Sequence, residues 1–145
     1  MIIYCYTGEA VEIDGETLVD ANLAGLELHR AQLDGVDLSG ANLSQANLRS
    51  AILNGSNLTR CDLRDAKLMA AQMMGCQMTG STLVGAKLNG AKLDGAILDD
   101  ADLRGATFNL ASLNQTSLRR ARLERGALSD AQLSQAVDVA TIRWC

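Results

Sequence analysis

The sequence predicts an all-β solenoid that advances in five-residue steps, and three observations carry this reading. Leucine recurs at a strict period of five: from Glu16 to Gln135 the chain divides into 24 quintets with no insertion or deletion, and the third place holds Leu 21 times. The same frame puts Ala in the first place 15 times. The 145 residues also contain no proline, one Phe, two Tyr and one Trp, too few large rings to fill an ordinary globular interior. A period of five suits neither regular element. On an α-helix each leucine would turn by about 140° from the last and form no stripe. On a straight strand successive leucines would point to opposite faces. A chain that runs three extended residues and then corners buries places one and three together and leaves places two, four and five in water.

Taken in order, residues 1–10 (MIIYCYTGEA) read as an N-terminal cap that holds both tyrosines. The quintet VEIDG at 11–15 is in frame, so the repeat is assigned to 11–135. Within it, Met73, Met78 and Phe108 replace the third-place leucine, while Cys61, Cys76, Ser56, Thr116 and Gly126 are among the first-place substitutes. The fifth place holds Gly ten times, as a type II corner needs where φ is positive. Residues 136–145 (AVDVATIRWC) break the frame and read as a C-terminal cap or dimerisation segment. Its apolar residues Val137, Ile142 and Trp144 are the candidate dimer contacts, since an open solenoid end is a template for edge pairing.

The quintets ANLAG, ANLSQ, CDLRD, AKLDG and ADLRG resemble the pentapeptide repeat family, whose pattern is A(D/N)LXX. The resemblance implies a right-handed quadrilateral parallel β-helix with four quintets per coil. On that geometry the chain makes about six coils and a rod on the order of 29 Å long. Residues 31, 51, 71, 91, 111 and 131 then form an inner column of alanines, and Gly35, Gly55, Gly75 and Gly95 stack as one row of corners. Gly126, in the first place one coil beyond Ala106, is expected to offset the bulk of Phe108.

Chemistry finds little purchase in this sequence. Cys5, Cys61, Cys76 and Cys145 show no metal-ligand spacing, and Cys61 and Cys76 read as small core residues. His29 points outward beside Glu27 and Arg49, with no nucleophile held against it. The repeat's fifth-place glycines are already explained by the corners, so no phosphate loop or nucleophile elbow is expected. No enzyme, cofactor or metal is expected. No apolar run approaches the roughly 20 residues of a bilayer span and MIIYCY is no secretory signal, so no membrane partner and a cytoplasmic location are expected.

The resemblance also implies a second function. Some family members act on DNA gyrase as dimeric rods whose acidic surface imitates the duplex, and confer quinolone resistance. Such mimicry needs a dense single-sign field. The chain carries net −4, but residues 16–135 hold 13 acids against 12 bases. Arg119, Arg120 and Arg122 fall one implied coil beyond Asp99, Asp100 and Asp102, and Glu124 falls beyond Arg104, which predicts ladders of ion pairs instead of an acidic face. The expected function is a non-enzymatic structural or protein-interaction rod that binds a protein, not nucleic acid directly, with gyrase-directed mimicry as the alternative. Val19, Ile52, Met69, Met74, Val84, Ile97 and Leu110 should point outward, spread over all four faces.

Overall fold

Places one and three turn inward, as their period requires. Leu23, Leu43, Leu63, Leu83, Leu103 and Leu123 are all fully buried in one column, and Ala31, Ala51, Ala71 and Ala91 are buried in another. The computed structural model describes the backbone of residues 1–145 and every side chain except that of residue 131, so the last member of the expected alanine column lies outside the described side chains. The chain corners at places four and five of each quintet, from 19–20 to 119–120. At each corner the first-place amide donates to the third-place carbonyl three residues back, as Ala51 N does to Leu48 O at 3.1 Å. The fifth place has positive φ, +67° at both Gly55 and Gly75, while the fourth does not, which is the pattern of a type II turn.

The coils stack at an offset of twenty residues. Parallel bridges join Asn22 to Asn42, Asn42 to Asp62, Asp62 to Thr82, Thr82 to Asp102 and Asp102 to Arg122, with matching ladders on the other sides. Each rung bonds both neighbours: Ile52 N donates to Ala31 O of the coil before at 2.9 Å, while Leu53 N donates to Gln72 O of the coil after at 2.7 Å. Four corners in each twenty residues give a four-sided parallel coil, whose narrow interior Ala and Leu fill.

The N-terminal boundary differs from the expected one. Strand β1 (Ile2–Tyr4) pairs antiparallel with β2 (Ala10–Glu12), so residues 11 and 12 belong to a hairpin and the quintet at 11–15 does not stack. The hairpin closes one side of the first coil: Gln32 N donates to Tyr4 O at 2.8 Å, and Cys5 bridges Ala31. Ile3 is buried beneath it.

The C-terminal boundary also moves. Strand β3 (Arg122–Leu123) ends the regular coil, and the last two quintets, expected to continue it to 135, form a turn that exposes Gly126 but buries Leu128, and helix α1 (Asp130–Gln135). Two local causes act together. Gly126 takes φ +82° in the turn and is exposed, so it cannot sit under the core and does not offset Phe108. Ser129 and Gln132 then form a capping box that starts α1, each bonding the other's backbone amide. Beyond α1 the chain returns to the coil. Val137 bridges Ser117, a 3-10 turn spans Val139–Thr141, and β4 (Arg143–Trp144) pairs parallel with β3.

Candidate functional site

Among the described residues the depressions are open ones at the two ends of the coil, and the rest of the surface divides into four outer faces. Face one starts at residues 21, 41, 61, 81 and 101; face two at 26, 46, 66, 86 and 106; face three at 31, 51, 71, 91 and 111; face four at 36, 56, 76, 96 and 116.

The three residues singled out as dimer contacts come together at the C-terminal end, where they serve the cap. Ile142 is buried against the last coil, at 7% exposure. Val137 is half-buried; its amide donates to Thr116 O at 2.8 Å and its carbonyl accepts from Leu118 N at 3.2 Å. Trp144 is half-buried beside Leu128 and Leu133, along a shallow groove that Arg125 and Asp130 also line. A larger open groove of about 650 Å³ runs between face two's last quintet and α1, lined by Asn109, Leu110, Ala111, Ser129 and Gln132. The Gln132 amide crosses it, donating to Phe108 O at 2.8 Å and Ala111 O at 3.1 Å. Those bonds pin α1 to the edge it covers.

The acids of the C-terminal coils are matched by arginines. Asp99 meets Arg119 at 2.9 Å, Asp100 meets Arg120 at 2.6 Å and Asp102 meets Arg122 at 3.6 Å, the ladder the sequence predicts. The predicted Arg104–Glu124 pair does not form. Arg104 turns to Asp102 of its own coil at 2.7 Å, and Arg64 does the same with Asp62 at 2.5 Å. Places two and four flank one inward residue and project on the same side, so an Asp-x-Arg run closes a fork that a cross-coil search overlooks. Hydrogen bonding from Arg104 holds the Asp102 carboxyl below its usual range, as Arg64 does for Asp62 and Arg120 for Asp100. At Asp94 burial opposes ionisation, but Ser112 and Asn114 donate to the carboxylate and keep it low.

The cysteines and the histidine lie apart. Cys61 and Cys76 are buried, and burial pushes their thiols up to about 12 and about 11. Each donates to a third-place carbonyl of the coil before: Cys61 Sγ to Leu38 O at 2.9 Å, Cys76 Sγ to Leu53 O at 2.8 Å. Ser56 and Thr116 repeat this contact with Leu33 O and Leu93 O. The cysteines are the small core residues the sequence predicts, and the first place they share with Ser and Thr is the signal for their further role as donors. His29 is exposed beside Tyr6, Arg30 and Gln72 in a shallow depression. Among the described residues no cluster of three or more His, Cys, Asp or Glu could hold a metal ion, and no helix is long and apolar enough to cross a membrane.

Of the apolar residues expected outside, Val19, Met74 and Leu110 are exposed, while Ile52, Met69, Val84 and Ile97 are half-buried. The least expected concentration is of charge. Face two carries Arg30, Arg49, Lys67 and Lys87, all exposed, against the single acid Glu27.

Comparison with known proteins agrees with this geometry. The family model for a pentapeptide repeat region matches residues 26–103. A pentapeptide repeat protein from the cyanobacterium Cyanothece 51142 superposes with a TM-score of 0.60 and 33% identity, covering 61% of this chain; the chain spans 60% of that protein's length. Another from Nostoc PCC 7120 gives a TM-score of 0.55 and 30% identity, covering 75% of this chain and 84% of that one. A third, from the thylakoid lumen of Arabidopsis thaliana, shares the fold at a TM-score of 0.54 and 23% identity, over 78% of this chain and 72% of its own. No curated protein matches the sequence.

Proposed function

Because the chain belongs to the pentapeptide repeat family, we propose that it works as a non-enzymatic rod that binds another protein through its outer faces. The observation that carries this reading is how the inward positions are used. Leu, Ala, Met and Phe fill the coil, and the inward hydroxyls and thiols of Ser56, Cys61, Cys76 and Thr116 are engaged with backbone carbonyls. Side chains committed in this way hold the coil together and offer no nucleophile, base or ligand cradle. A stiff rod with regularly spaced surface residues suits display to a partner. In this reading the rod has about six coils, the last of them closed by α1 and the 137–145 tail.

The same reading gives a cytoplasmic protein, in keeping with four unpaired cysteines, two of them deep in the core. It involves no direct contact with nucleic acid or membrane. A homodimer through the C-terminal end would use Val137 and Trp144, the half-buried members of the set, because Ile142 is already committed to its own core. Light scattering of the wild type and of Trp144→Ala tests it: a dimer mass that halves in the variant is the expected result, and an unchanged mass removes this role. The alternative, mimicry of DNA on gyrase, draws no support from the arginine-matched acids at 99, 100 and 102. A supercoiling assay with purified gyrase, in which the protein leaves the rate unchanged, is the outcome expected here. For the rod reading itself, cross-linking in cell extract followed by mass spectrometry should return a recurrent protein partner attached to outward lysines. Failure to exceed a scrambled-charge control would count against it.

A further inference from the structure

On the reading above, which it deepens, we propose that face two is the docking surface and that its partner is an acidic α-helix of another protein, lying along the rod axis. Face two carries charge without partners. Asp62, Asp99, Asp100 and Asp102 on faces one and four are all bridged by arginines. Among the described residues Arg30, Arg49, Lys67 and Lys87 make no ion pair, and Glu27 instead accepts from the Asn47 amide at 2.5 Å. Lys67 and Lys87 occupy directly stacked rungs. Like charges placed opposite each other in adjacent strands destabilise a sheet, so the fold gains nothing from this arrangement. An anionic partner would relieve it.

The spacing of the rungs also selects a helix. Successive rungs lie about 4.8 Å apart, and successive turns of an α-helix about 5.4 Å apart. Carboxylates at i, i+4 and i+7 of a helix therefore meet successive rungs within the reach of a lysine side chain. A strand laid along the same axis repeats its side chains about every 6.8 Å and falls out of step after two rungs. The width and surroundings of the face set the partner's class. Face two is one quintet wide, with Asp34 and Asp94 on face three and Asp62, Asp65 and Asp102 on face one. A duplex would overhang those acids, and beyond His29 and the neighbouring Tyr6 at its N-terminal end face two exposes no aromatic ring on which a run of single-stranded bases could stack. At its C-terminal end the face instead presents Leu110, 95% exposed, at the rim of the groove against α1, where an apolar residue of the partner helix can rest.

The experiment uses the full chain and fluorescence anisotropy at low salt. The probes are a labelled helical peptide of about 18 residues with Glu at i, i+4 and i+7 repeats, a peptide of the same composition with Glu scattered around the helix, and a DNA duplex of similar length. The ordered peptide should bind wild type at least about tenfold more tightly than it binds the double variant Lys67→Glu/Lys87→Glu. The matched control Arg60→Glu/Lys92→Glu, with the same net charge on faces four and three, should keep wild-type affinity. Circular dichroism melts of both variants establish that the fold is intact. Equal loss in the two variants, equal affinity for the scattered peptide, or tighter binding of the duplex would each overturn the proposal. If Lys67→Glu/Lys87→Glu still cross-links to the same cellular partner as wild type, this surface is wrong while the interaction-rod reading survives.

Discussion

At the corners, the fifth place imposes one backbone conformation on very different residues. Glycine there was legible, because positive φ costs it nothing. The same φ is taken by Arg30 at +58°, Ala70 at +55°, Leu110 at +60° and Arg120 at +55°, none of which announces a left-handed residue. The surrounding ladder dictates the angle, so the period of five predicts it better than the residue does. Leu110 is the most adverse case, since a large side chain holds a disfavoured conformation while fully in water. Leu110→Gly should raise stability by about 0.5–1 kcal/mol, the relief of strain exceeding the added chain entropy of glycine in the unfolded state. Urea melts would detect this, and a loss of stability would mean that the added freedom of glycine in the unfolded chain outweighs the relief of strain. The inward hydroxyls and thiols were half legible. Small size placed them in the first position, but their hydrogen bonds to carbonyls of the preceding coil depend on a depth that only the stacked structure supplies.

Secondary-structure elements govern the two ends, where the sequence read least clearly. Leu128 and Leu133 fall in frame, so residues 126–135 resemble two further quintets. The capping box Ser129…Gln132 was equally present in the sequence, and it prevails because Gly126 turns the chain out of the coil just before it. Gln132 then has two duties: its oxygen accepts from Ser129 N at 3.0 Å, and its amide donates to two carbonyls of the preceding coil. Gln132→Ala should cost about 1–2 kcal/mol and speed hydrogen exchange at Ala111 and Leu133, whose amides bond Phe108 O and Ser129 O, while amides of the central coils stay protected. Uniform exchange throughout would contradict a local role for this cap. Ile142 bears more weight, as the buried residue between the 3-10 turn and β4. Ile142→Asp would bury an unpaired carboxylate and detach β4 from β3, at a cost of about 3 kcal/mol or more. The uncovered edge should then associate, seen as rising mass in light scattering with protein concentration. A monodisperse variant with an unchanged melt would show that the tail is dispensable.

For the whole molecule, charge is arranged by face and not by net value. The acidic excess apparent in the composition is held at the leading end, at Glu9, Glu12 and Asp14, whereas the later coils carry arginine-matched ladders. That arrangement predicts how the rod responds to acid. Asp62, Asp100 and Asp102 all have folded pKa values below their unfolded ones, so each contributes stability that is present above the unfolded value near 4 and disappears as pH falls through the lower, folded value. The melting temperature should therefore be nearly flat from about pH 7 to about pH 5 and drop below about pH 4. Asp102 is the informative group, because Arg104 and Arg122 both reach it and its side chain is only 18% exposed. Replacing both arginines by alanine should lower the melting temperature at pH 7 and leave the acid-side fall shallower, since less ionised-state stabilisation remains to be lost. High salt should reproduce part of that change in the wild type, because the arginine partners stand partly in water. An acid limb of unchanged steepness in Arg104→Ala/Arg122→Ala would mean that the ladders solubilise the rod without setting its response to pH.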